Sequence, residues 1–315
     1  MIIQYIHKIL YKRLLYNKIT MELYKNEEGY LRLLFDTLNN GEKKLTRNGN
    51  VISQFGAILS FNNIENSFPL LTTKKIFFRG VVEELLWFLR GSTDAKELQE
   101  KNIHIWDGNS SREYLDSIGL TNYEEGQLGK IYGHQWRNFN GSRINKKDGI
   151  DQIEYIINEL KKDNNSRRVV LSAWNPSQLN EMALPPCHLM YNFYKDGNGL
   201  SCMMTMRSSD LFLGLPFNIA STALLTYIIA KVLHIPANNI LITTCDAHIY
   251  DEHINPVIKQ LERKPYNLPK IKINIEAPSL DSDIKVIMDW IENLKYENFV
   301  IEDYKYHESI KAIMK

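Results

Sequence analysis

The chain has 315 residues, of which 44% are hydrophobic and 24% charged, and its formal net charge is only +1. That length allows one large core or two domains, and so small a net charge gives no global attraction to DNA or to a membrane surface. The three cysteines, Cys187, Cys202 and Cys245, lack the spacing of a metal site or a disulfide framework, which indicates a reducing compartment and no bound metal. We expect a single domain located in the cytoplasm, with a mitochondrial or nuclear location left open.

Residues 1–21 are expected to be an N-terminal extension of a domain that covers residues 22–315. The first 20 residues hold four basic side chains and no acidic one, with apolar residues at helical intervals. Lys8 interrupts the apolar run that a secretory signal needs, and a single arginine without serine is atypical of a mitochondrial presequence. We therefore expect a helical or frayed extension.

Hydrophobic periodicity and turn residues predict the elements of the domain in chain order. The most apolar stretch, residues 219–235, includes Lys231 and His234 and is too short for a membrane span, so we expect a buried helix there. The irregular succession of helices and strands favours the α+β class, with one large mixed β-sheet covered by helices. The predicted helices are 28–38, 80–89, 150–160, 217–233, 248–261 and 283–294, and the predicted strands are 51–61, 169–174, 189–194, 200–206, 240–244, 271–275 and 299–301.

The strands 189–194 and 200–206 are predicted to form a hairpin, because a glycine-rich turn separates them. If the hairpin is symmetric about Gly197, Cys187 and Arg207 come opposite one another on the same face of the sheet. A guanidinium beside a thiol favours the thiolate, which is the nucleophilic form of cysteine. A free cysteine is more often a small core residue, but the charged residues that follow this hairpin favour a reactive thiol.

Around this cysteine the chain resembles the thymidylate synthase family. The matching segments occur in the family's order and at compatible spacing over about residues 22–311, so chance agreement is negligible although each motif alone is weak. The segments are LPPCH at 184–188, RS at 207–208, PFNIAS at 216–221, DAHIY at 246–250, EELLWF at 83–88, IWD at 105–107, YGHQWR at 132–137 and RR at 167–168.

The resemblance implies reductive methylation of dUMP to dTMP, in which methylene-tetrahydrofolate is the cosubstrate and leaves as dihydrofolate. It implies that the Cys187 thiolate attacks the uracil ring, that Glu84 passes protons through ordered water, and that Tyr132 helps to remove a pyrimidine proton. A carboxylate in so apolar a segment as 80–89 also has a raised pKa if it is buried. The catalytic residues implied are Cys187, Glu84, Tyr132, Arg207 and Asp210.

The resemblance further implies a homodimer in which Arg167 and Arg168 cross to bind the phosphate of the neighbouring subunit. From the residues alone, these two arginines are ordinarily solvated, and Asn218 is a helix cap. No metal, DNA or membrane partner is expected, and RNA binding stays open. The implied substrate-binding residues are Arg47, Arg167, Arg168, Arg207, Ser208, Asn218, His248 and Tyr250, and the implied folate-binding residues are Ile105, Trp106, Asp107 and Asp210.

Two departures from the family pattern affect the site. Cys245 stands where the family usually has glycine, which predicts backbone strain if that glycine has a positive φ. The C-terminal tail lacks a proline common in the family and ends in Lys315, which puts its closure over the ligands in question.

Three other functions remain open at this point. A deoxycytidylate hydroxymethylase shares the fold and the cysteine, although Asn218 argues against it. A Cys-His hydrolase has no use for a cluster of phosphate ligands. A non-catalytic nucleotide-binding or RNA-binding regulator would not need Cys187 or Glu84.

Overall fold

The computed structural model describes residues 23–142, 148–163 and 165–314. The predicted N-terminal extension, residues 1–21, lies outside the described residues, so its boundary stays a prediction. The described part contains a seven-stranded sheet and a two-stranded sheet. Their strands are β1 (Leu23–Lys25), β2 (Glu42–Thr46), β3 (Gly49–Phe61), β4 (Val170–Ser172), β5 (His188–Asp196), β6 (Gly199–Asp210), β7 (Ala237–Tyr250), β8 (Lys270–Ile273) and β9 (Phe299–Glu302).

The large sheet has the strand order β1-β3-β7-β6-β5-β4, and β2 pairs with β3. The pairs β1–β3 and β6–β7 are parallel, whereas the other neighbours are antiparallel. The large sheet is therefore mixed, and the predicted α+β class is confirmed.

Helices cover this sheet on the side of the core. The longest helix contacts β6 and β7, and although its length and hydropathy would suit a membrane span, most of it is buried inside the protein. The helices are α1 (Asn26–Asn40), α2 (Phe78–Leu89), α3 (Lys96–Gln99), α4 (Asp107–Ser110), α5 (Arg112–Ser117), α6 (Tyr132–Arg137), α7 (Gln152–Lys162), α8 (Gly214–Val232), α9 (Ile254–Leu261) and α10 (Ile284–Glu292), with 3₁₀ turns at Pro176–Glu181, Asp251–His253 and Tyr296–Asn298.

The two faces of the sheet differ in their burial. Ala57, Leu59 and Phe61 of β3 point into the core and are at most 3% exposed. Ile58 lies between them on the opposite face and is only half-buried, and Met203 of β6 on that face is exposed. An apolar second face of this kind leaves the single chain with sheet surface that a partner could cover.

The hairpin of β5 and β6 places Cys187 opposite Arg207, as predicted, but through a different register. Its turn is centred half a residue beyond Gly197, which alone would place Ser208 opposite the cysteine. A β-bulge at Leu189 then shifts the register by one residue. As a result, the Arg207 N–H donates to the Cys187 carbonyl with an N···O distance of 2.9 Å.

The predicted helix 248–261 is wrong in its first part. Strand β7 continues to Tyr250, and His248 pairs with Ser53 of β3. The 3₁₀ turn Asp251–His253 follows before helix α9 begins. The pairing of β7 with β3 outweighs the local helical pattern. Residues 248–250 therefore belong to the sheet.

The strain expected at Cys245 does not arise. Cys245 lies within β7 and has no positive φ, whereas Gly56 on the adjacent strand has a φ of +76°. Neither residue belongs to the paired register of β3 and β7, which skips from Ala57–Thr244 to Phe55–Asp246. The left-handed backbone that this irregularity needs is therefore supplied by a glycine on the neighbouring strand.

Glu27 ties the start of α1 to the segment between β3 and α2. Its carboxylate accepts the backbone N–H groups of Thr72 and Thr73 at 2.8 and 2.7 Å and both of their hydroxyls at 2.8 and 2.7 Å. Glu27 is only 3% exposed, and a buried carboxylate is tolerated because these donors replace water. The adjacent Glu28 is exposed.

We expect Glu27→Ala to lower the free energy of unfolding by about 3 kcal/mol, because several buried donors lose their acceptor at once. The matched control Glu28→Ala should change it by less than about 0.5 kcal/mol, as exposed substitutions usually do. Urea denaturation at one fixed protein concentration measures both. Similar losses in the two variants would contradict an anchoring role for Glu27.

Candidate active site

A cavity of about 440 Å³ opens at the ends of β6 and β7. It brings together five of the eight predicted substrate-binding residues, which come from the β2–β3 turn and from these two strands. The exposed Arg47 comes from that turn. The lining residues are Thr46, Arg47, Asn48, Trp174, Leu184, Pro185, Arg207, Ser208, Asp246, His248 and Tyr250.

Cys187 is joined to this cavity through Arg207. The guanidinium donates to the carbonyls of Pro186 and Pro185 at 2.8 and 2.9 Å, and its Nη2 lies 3.5 Å from the Cys187 Sγ. The prediction of a thiolate is not met in this state. Burial raises the pKa of the Cys187 thiol by more than Arg207 lowers it, so the resting thiol is neutral at physiological pH.

Tyr132 and His188 form the wall behind the cysteine. The Cys187 N–H donates to the Tyr132 hydroxyl at 2.7 Å, and the Tyr132 ring stacks on the His188 imidazole with 4.0 Å between ring centroids. Burial lowers the pKa of His188 to about 3, so this imidazole is neutral, and its Nδ1 shares a hydrogen bond with the Tyr191 hydroxyl. His188 has no role in the sequence prediction, although it directly follows Cys187.

Glu84 lies on the side of α2 that faces Trp106. The indole Nε1 donates to the Glu84 carboxylate at 2.9 Å. Burial raises the pKa of Glu84 to about 7, against the lowering effect of this hydrogen bond, which bears out the raised pKa inferred from its apolar surroundings. Glu83 instead pairs with Lys101 at 2.7 Å, so the two adjacent carboxylates have different environments.

At the other end of the cavity, Asp246 orients His248. The Asp246 carboxylate lies 2.8 Å from the imidazole Nδ1, which leaves Nε2 free of this contact. Tyr250 packs edge-on against the same imidazole, with 5.1 Å between ring centroids. Asp246 has no predicted role, although it stands in the DAHIY segment.

Asp210 and Asn218 flank the start of α8. Asp210 accepts the N–H groups of Phe212 and Leu213 at 2.9 and 3.2 Å. A Cβ on Gly214 would lie 3.6 Å from the Asp210 Cβ and 3.9 Å from the Asn218 Oδ1. The glycine thus places no side chain between Asp210 and Asn218.

The remaining predicted residues lie apart from the cavity. Arg167 and Arg168 are exposed and do not line it. Asp107 accepts from Gln99 Nε2 at 2.9 Å and contacts His104 Nδ1 at 2.8 Å. Trp106 and the half-buried Ile105 precede it in the chain.

The side chains that the sequence analysis missed are mostly uncharged. Trp174, Thr46 and Asn48 line the cavity, yet each belongs to a segment without a recognisable motif. Within residues 23–142, 148–163 and 165–314, no group of three or more His, Cys, Asp or Glu side chains is placed to hold a metal ion.

Comparison with known proteins gives one consistent result. A sequence profile of the thymidylate synthase family matches residues 28–315. The chain is 49% identical over 262 residues to a bifunctional dihydrofolate reductase-thymidylate synthase of Zea mays, covering 81% of this chain and 50% of that protein. A protein of the same description from Glycine max is 50% identical over 82% of this chain and 50% of its own length, and one from Paramecium tetraurelia is 45% identical over 91% and 61%. The chain thus spans about half the length of the plant relatives.

The pKa of Glu84 predicts a pH-dependent difference in stability. An unfolded glutamate titrates near 4.5, so the stability that the bound proton gives is complete below about pH 4.5 and is lost as the pH rises through about 7. Relative to wild type, Glu84→Gln should therefore gain about 2–3 kcal/mol of unfolding free energy between pH 5 and pH 8.

Denaturant unfolding at the two pH values measures this gain. As a matched change, Trp106→Phe removes the hydrogen bond that lowers the pKa of Glu84. The pH range over which this variant loses the stability that the Glu84 proton gives should therefore be higher than in wild type. A constant difference between wild type and Glu84→Gln across this range would show that the carboxylate titrates normally.

Proposed function

Because the chain belongs to the thymidylate synthase family, we propose that it catalyses reductive methylation of dUMP to dTMP, with methylene-tetrahydrofolate as donor of both the carbon and the hydride. The observation that carries this proposal is the position of Cys187, 3.5 Å from a guanidinium that also lines the cavity. That arrangement sets a nucleophile beside a site suited to an anion.

The cavity has the chemistry of a nucleotide site. Arg47, Arg207 and the Ser208 hydroxyl line one part of it, and two guanidinium groups with a hydroxyl suit a phosphate dianion through charge-assisted hydrogen bonds. His248 and Tyr250 line another part and suit a ribose hydroxyl. The chain's small net charge does not prevent this, because the positive charge is local.

The thiol attacks the uracil ring in the proposed reaction. Its proton leaves first, and Arg207 stabilises the resulting thiolate. The Cys187 sulfur then bonds to the β-carbon of the enone, and the α-carbon becomes the nucleophile that bonds to the folate methylene. A base then removes the proton of the α-carbon, and the bond between the methylene and the folate nitrogen breaks, which leaves an exocyclic methylene on the pyrimidine. Hydride transfer from the tetrahydrofolate to this methylene and loss of the Cys187 sulfur from the β-carbon give dTMP, dihydrofolate and the free thiolate.

Glu84 and Tyr132 are suited to the proton transfers of this reaction. A carboxyl with a pKa of about 7 is present in both protonation states near neutral pH, which is the condition for an efficient general acid and base. The Tyr132 hydroxyl already lies 2.7 Å from the Cys187 nitrogen. Tyr132 thus lies beside the nucleophile, and Glu84 lies behind it through Trp106, whose ring centroid is 6.2 Å from that of Tyr132.

The folate is proposed to lie between α2 and the start of α8. Trp106, with Ile105 and Asp107 beside it, offers an apolar wall, and Asp210 offers a carboxylate for the pterin nitrogens. Because Gly214 carries no side chain, nothing from this position stands between a bound pterin and Asp210.

Asn218 favours uracil over cytosine as the base. Its amide can both donate and accept a hydrogen bond, as the uracil edge requires, and it lies on the other side of Gly214 from Asp210. For this reason deoxycytidylate hydroxymethylation is the less favoured alternative. A cytoplasmic location is proposed from the three free cysteines.

We expect the protein to form dihydrofolate, followed by its absorbance, when dUMP and methylene-tetrahydrofolate are both present. The Cys187→Ser variant should lose at least about a thousandfold in turnover, since a hydroxyl is a far weaker nucleophile at neutral pH, while its Kd for dUMP stays within about twofold. Replacement of dUMP by dCMP should give no dihydrofolate. Equal turnover with dCMP, or full activity in the variant, would contradict the proposal.

A homodimer is proposed from two features of the single chain. The second face of the large sheet carries half-buried Ile58 and exposed Met203, and Arg167 and Arg168 are exposed and away from the cavity. Two-fold pairing through this face would let the arginines of each chain reach the phosphate of the other.

Mixing two inactive variants tests the crossing arginines. Cys187→Ala and Arg168→Glu homodimers should each be nearly inactive, but in a mixed dimer both lesions fall in one site. Random exchange of equal amounts should restore about a quarter of the wild-type activity. Absence of recovery after demonstrated subunit exchange would mean that Arg168 serves its own chain.

A further inference from the structure

His253 lies between the predicted pterin ligand and the C-terminal tail. It is completely buried in the 3₁₀ turn after β7. Its Nε2 lies 2.8 Å from the Ile313 carbonyl oxygen, and its Nδ1 lies 3.5 Å from Asp210 Oδ1, at ion-pair distance. One imidazole therefore faces two chain segments that are about a hundred residues apart in the sequence.

The contact with the tail determines which nitrogen carries a proton. A carbonyl oxygen only accepts, so Nε2 must be protonated to bond to Ile313. In the neutral ring the lone pair of Nδ1 would then face the Asp210 carboxylate. In the imidazolium, Nδ1 instead directs a second proton at that carboxylate. The carboxylate thus favours the doubly protonated ring.

The charged surroundings of His253 support this state. Burial lowers the pKa of His253, but the Asp210 carboxylate and the Ile313 carbonyl together raise it by more, and the net shift is upward. Lys74, whose pKa burial lowers to about 7, sits over the Phe212 ring at 3.5 Å and opposes the second proton only weakly when it is neutral. The hydroxyl-bearing ring of Tyr250 packs against the imidazole at 5.5 Å between centroids.

Asp210 is held by backbone donors on one side and by His253 on the other, and Lys74 and His248 also act on its charge. The N–H groups of Phe212 and Leu213 hold the carboxylate towards the start of α8, and His253 approaches from the opposite element. A change at His253 therefore changes the electrostatic balance at the carboxylate that is predicted to bind the pterin.

The tail is fixed to the domain in two places. Backbone bonds join His307 to Thr72 and Lys75 at 2.8 and 2.9 Å, and Arg263 Nη1 donates to the Glu308 carbonyl at 2.7 Å. Beyond that residue, within the described chain up to 314, the tail's hydrogen bond to the rest of the domain is the one from His253 to Ile313. Loss of this bond leaves residues 309–314 with the apolar packing of Ile310 and Ala312 alone.

We propose that His253 is a positioning residue that couples docking of the C-terminal tail to the orientation and charge of Asp210, so that reduced folate binds more tightly when the tail is docked. This inference rests on the proposed function, because Asp210 is its assumed folate ligand. The coupling is reciprocal. A change that weakens the ion pair of His253 with Asp210 also weakens the hydrogen bond of His253 to Ile313, and the reverse holds as well.

Two amide substitutions separate the two contacts. The side-chain nitrogen of His253→Gln falls near the place of Nε2 and keeps a donor for Ile313, whereas that of His253→Asn falls near Nδ1 and keeps a donor for Asp210. Both should raise KM for methylene-tetrahydrofolate about tenfold, as expected for one charge-assisted hydrogen bond, and leave the Kd for dUMP within about twofold. A purely structural role would weaken both ligands together.

Amide hydrogen exchange of residues 309–314 provides a readout that does not depend on catalysis. Exchange there should rise about tenfold in His253→Asn and stay near wild type in His253→Gln. Asp210→Asn, which removes the charge that holds the second proton on the imidazole, should also raise exchange in the tail although it does not touch the tail.

The outcomes distinguish the coupling from the function itself. Unchanged tail exchange in Asp210→Asn, or an unchanged KM for methylene-tetrahydrofolate in both His253 variants, would overturn the coupling. Failure of the wild-type protein to form dihydrofolate would instead refute the proposed function, and the exchange results would still decide whether His253 connects the two segments. Exchange that rises equally throughout the domain would mean that His253 only stabilises the fold, and would also overturn the proposal.

Discussion

The bulge at Leu189 is the constraint on which the geometry around Cys187 depends. Without that extra residue the hairpin register would set Ser208 opposite the cysteine, and the guanidinium of Arg207 would emerge one position away. With it, the Arg207 backbone bonds to the Cys187 carbonyl and its side chain bonds to the two preceding prolines. These three contacts fix the arginine before any ligand binds, so the cavity already has its shape in the single chain.

Burial raises the pKa of both groups expected to take part in the chemistry, with opposite consequences for their reactivity. It raises the pKa of Glu84 to about 7, which makes the carboxyl useful as an acid and a base near neutrality. The same effect raises the pKa of Cys187, which makes the free thiol less reactive. A protected resting thiol limits side reactions, and it means that activation must come with the substrate and not from the empty site.

Much of the fold could be predicted from the sequence because its long elements carry strong periodic patterns. Helix α8 and strands β3, β5 and β6 lie close to their predicted ranges. The exposed strand β2 and the helices of four to six residues between Asp107 and Arg137 were missed, since segments so short have no periodicity to detect. The misassigned start of the range 248–261 has a different cause, because it is pairing with both β3 and β6 that keeps His248 in the sheet.

The candidate site was predicted by a different kind of evidence. Five predicted residues meet in one cavity, but it was the resemblance to a family, and not the spacing of residues, that grouped Arg47 with His248. The raised pKa of Glu84 followed from its apolar segment, once the resemblance had singled out Glu84 and not Glu83. The neutral state of Cys187 could not be predicted in this way, because the sequence shows the nearby arginine but does not show how deeply the sulfur is buried.

The parallel pairing of β6 and β7 has a consequence for how this protein acquires its site. These neighbours are joined by a crossover through α8, so their pairing requires that long connection to close, and contacts between segments so distant in sequence form slowly. Ser208 and Asp246 are partners in this pairing, on the two strands that line the cavity. The hairpin that holds Cys187 and Arg207 can close early by local contacts, whereas the side of the cavity formed by His248 and Tyr250 of β7 is added only when the crossover is in place. A chain arrested during synthesis or refolding would thus hold its nucleophile without the pocket that gives it a substrate.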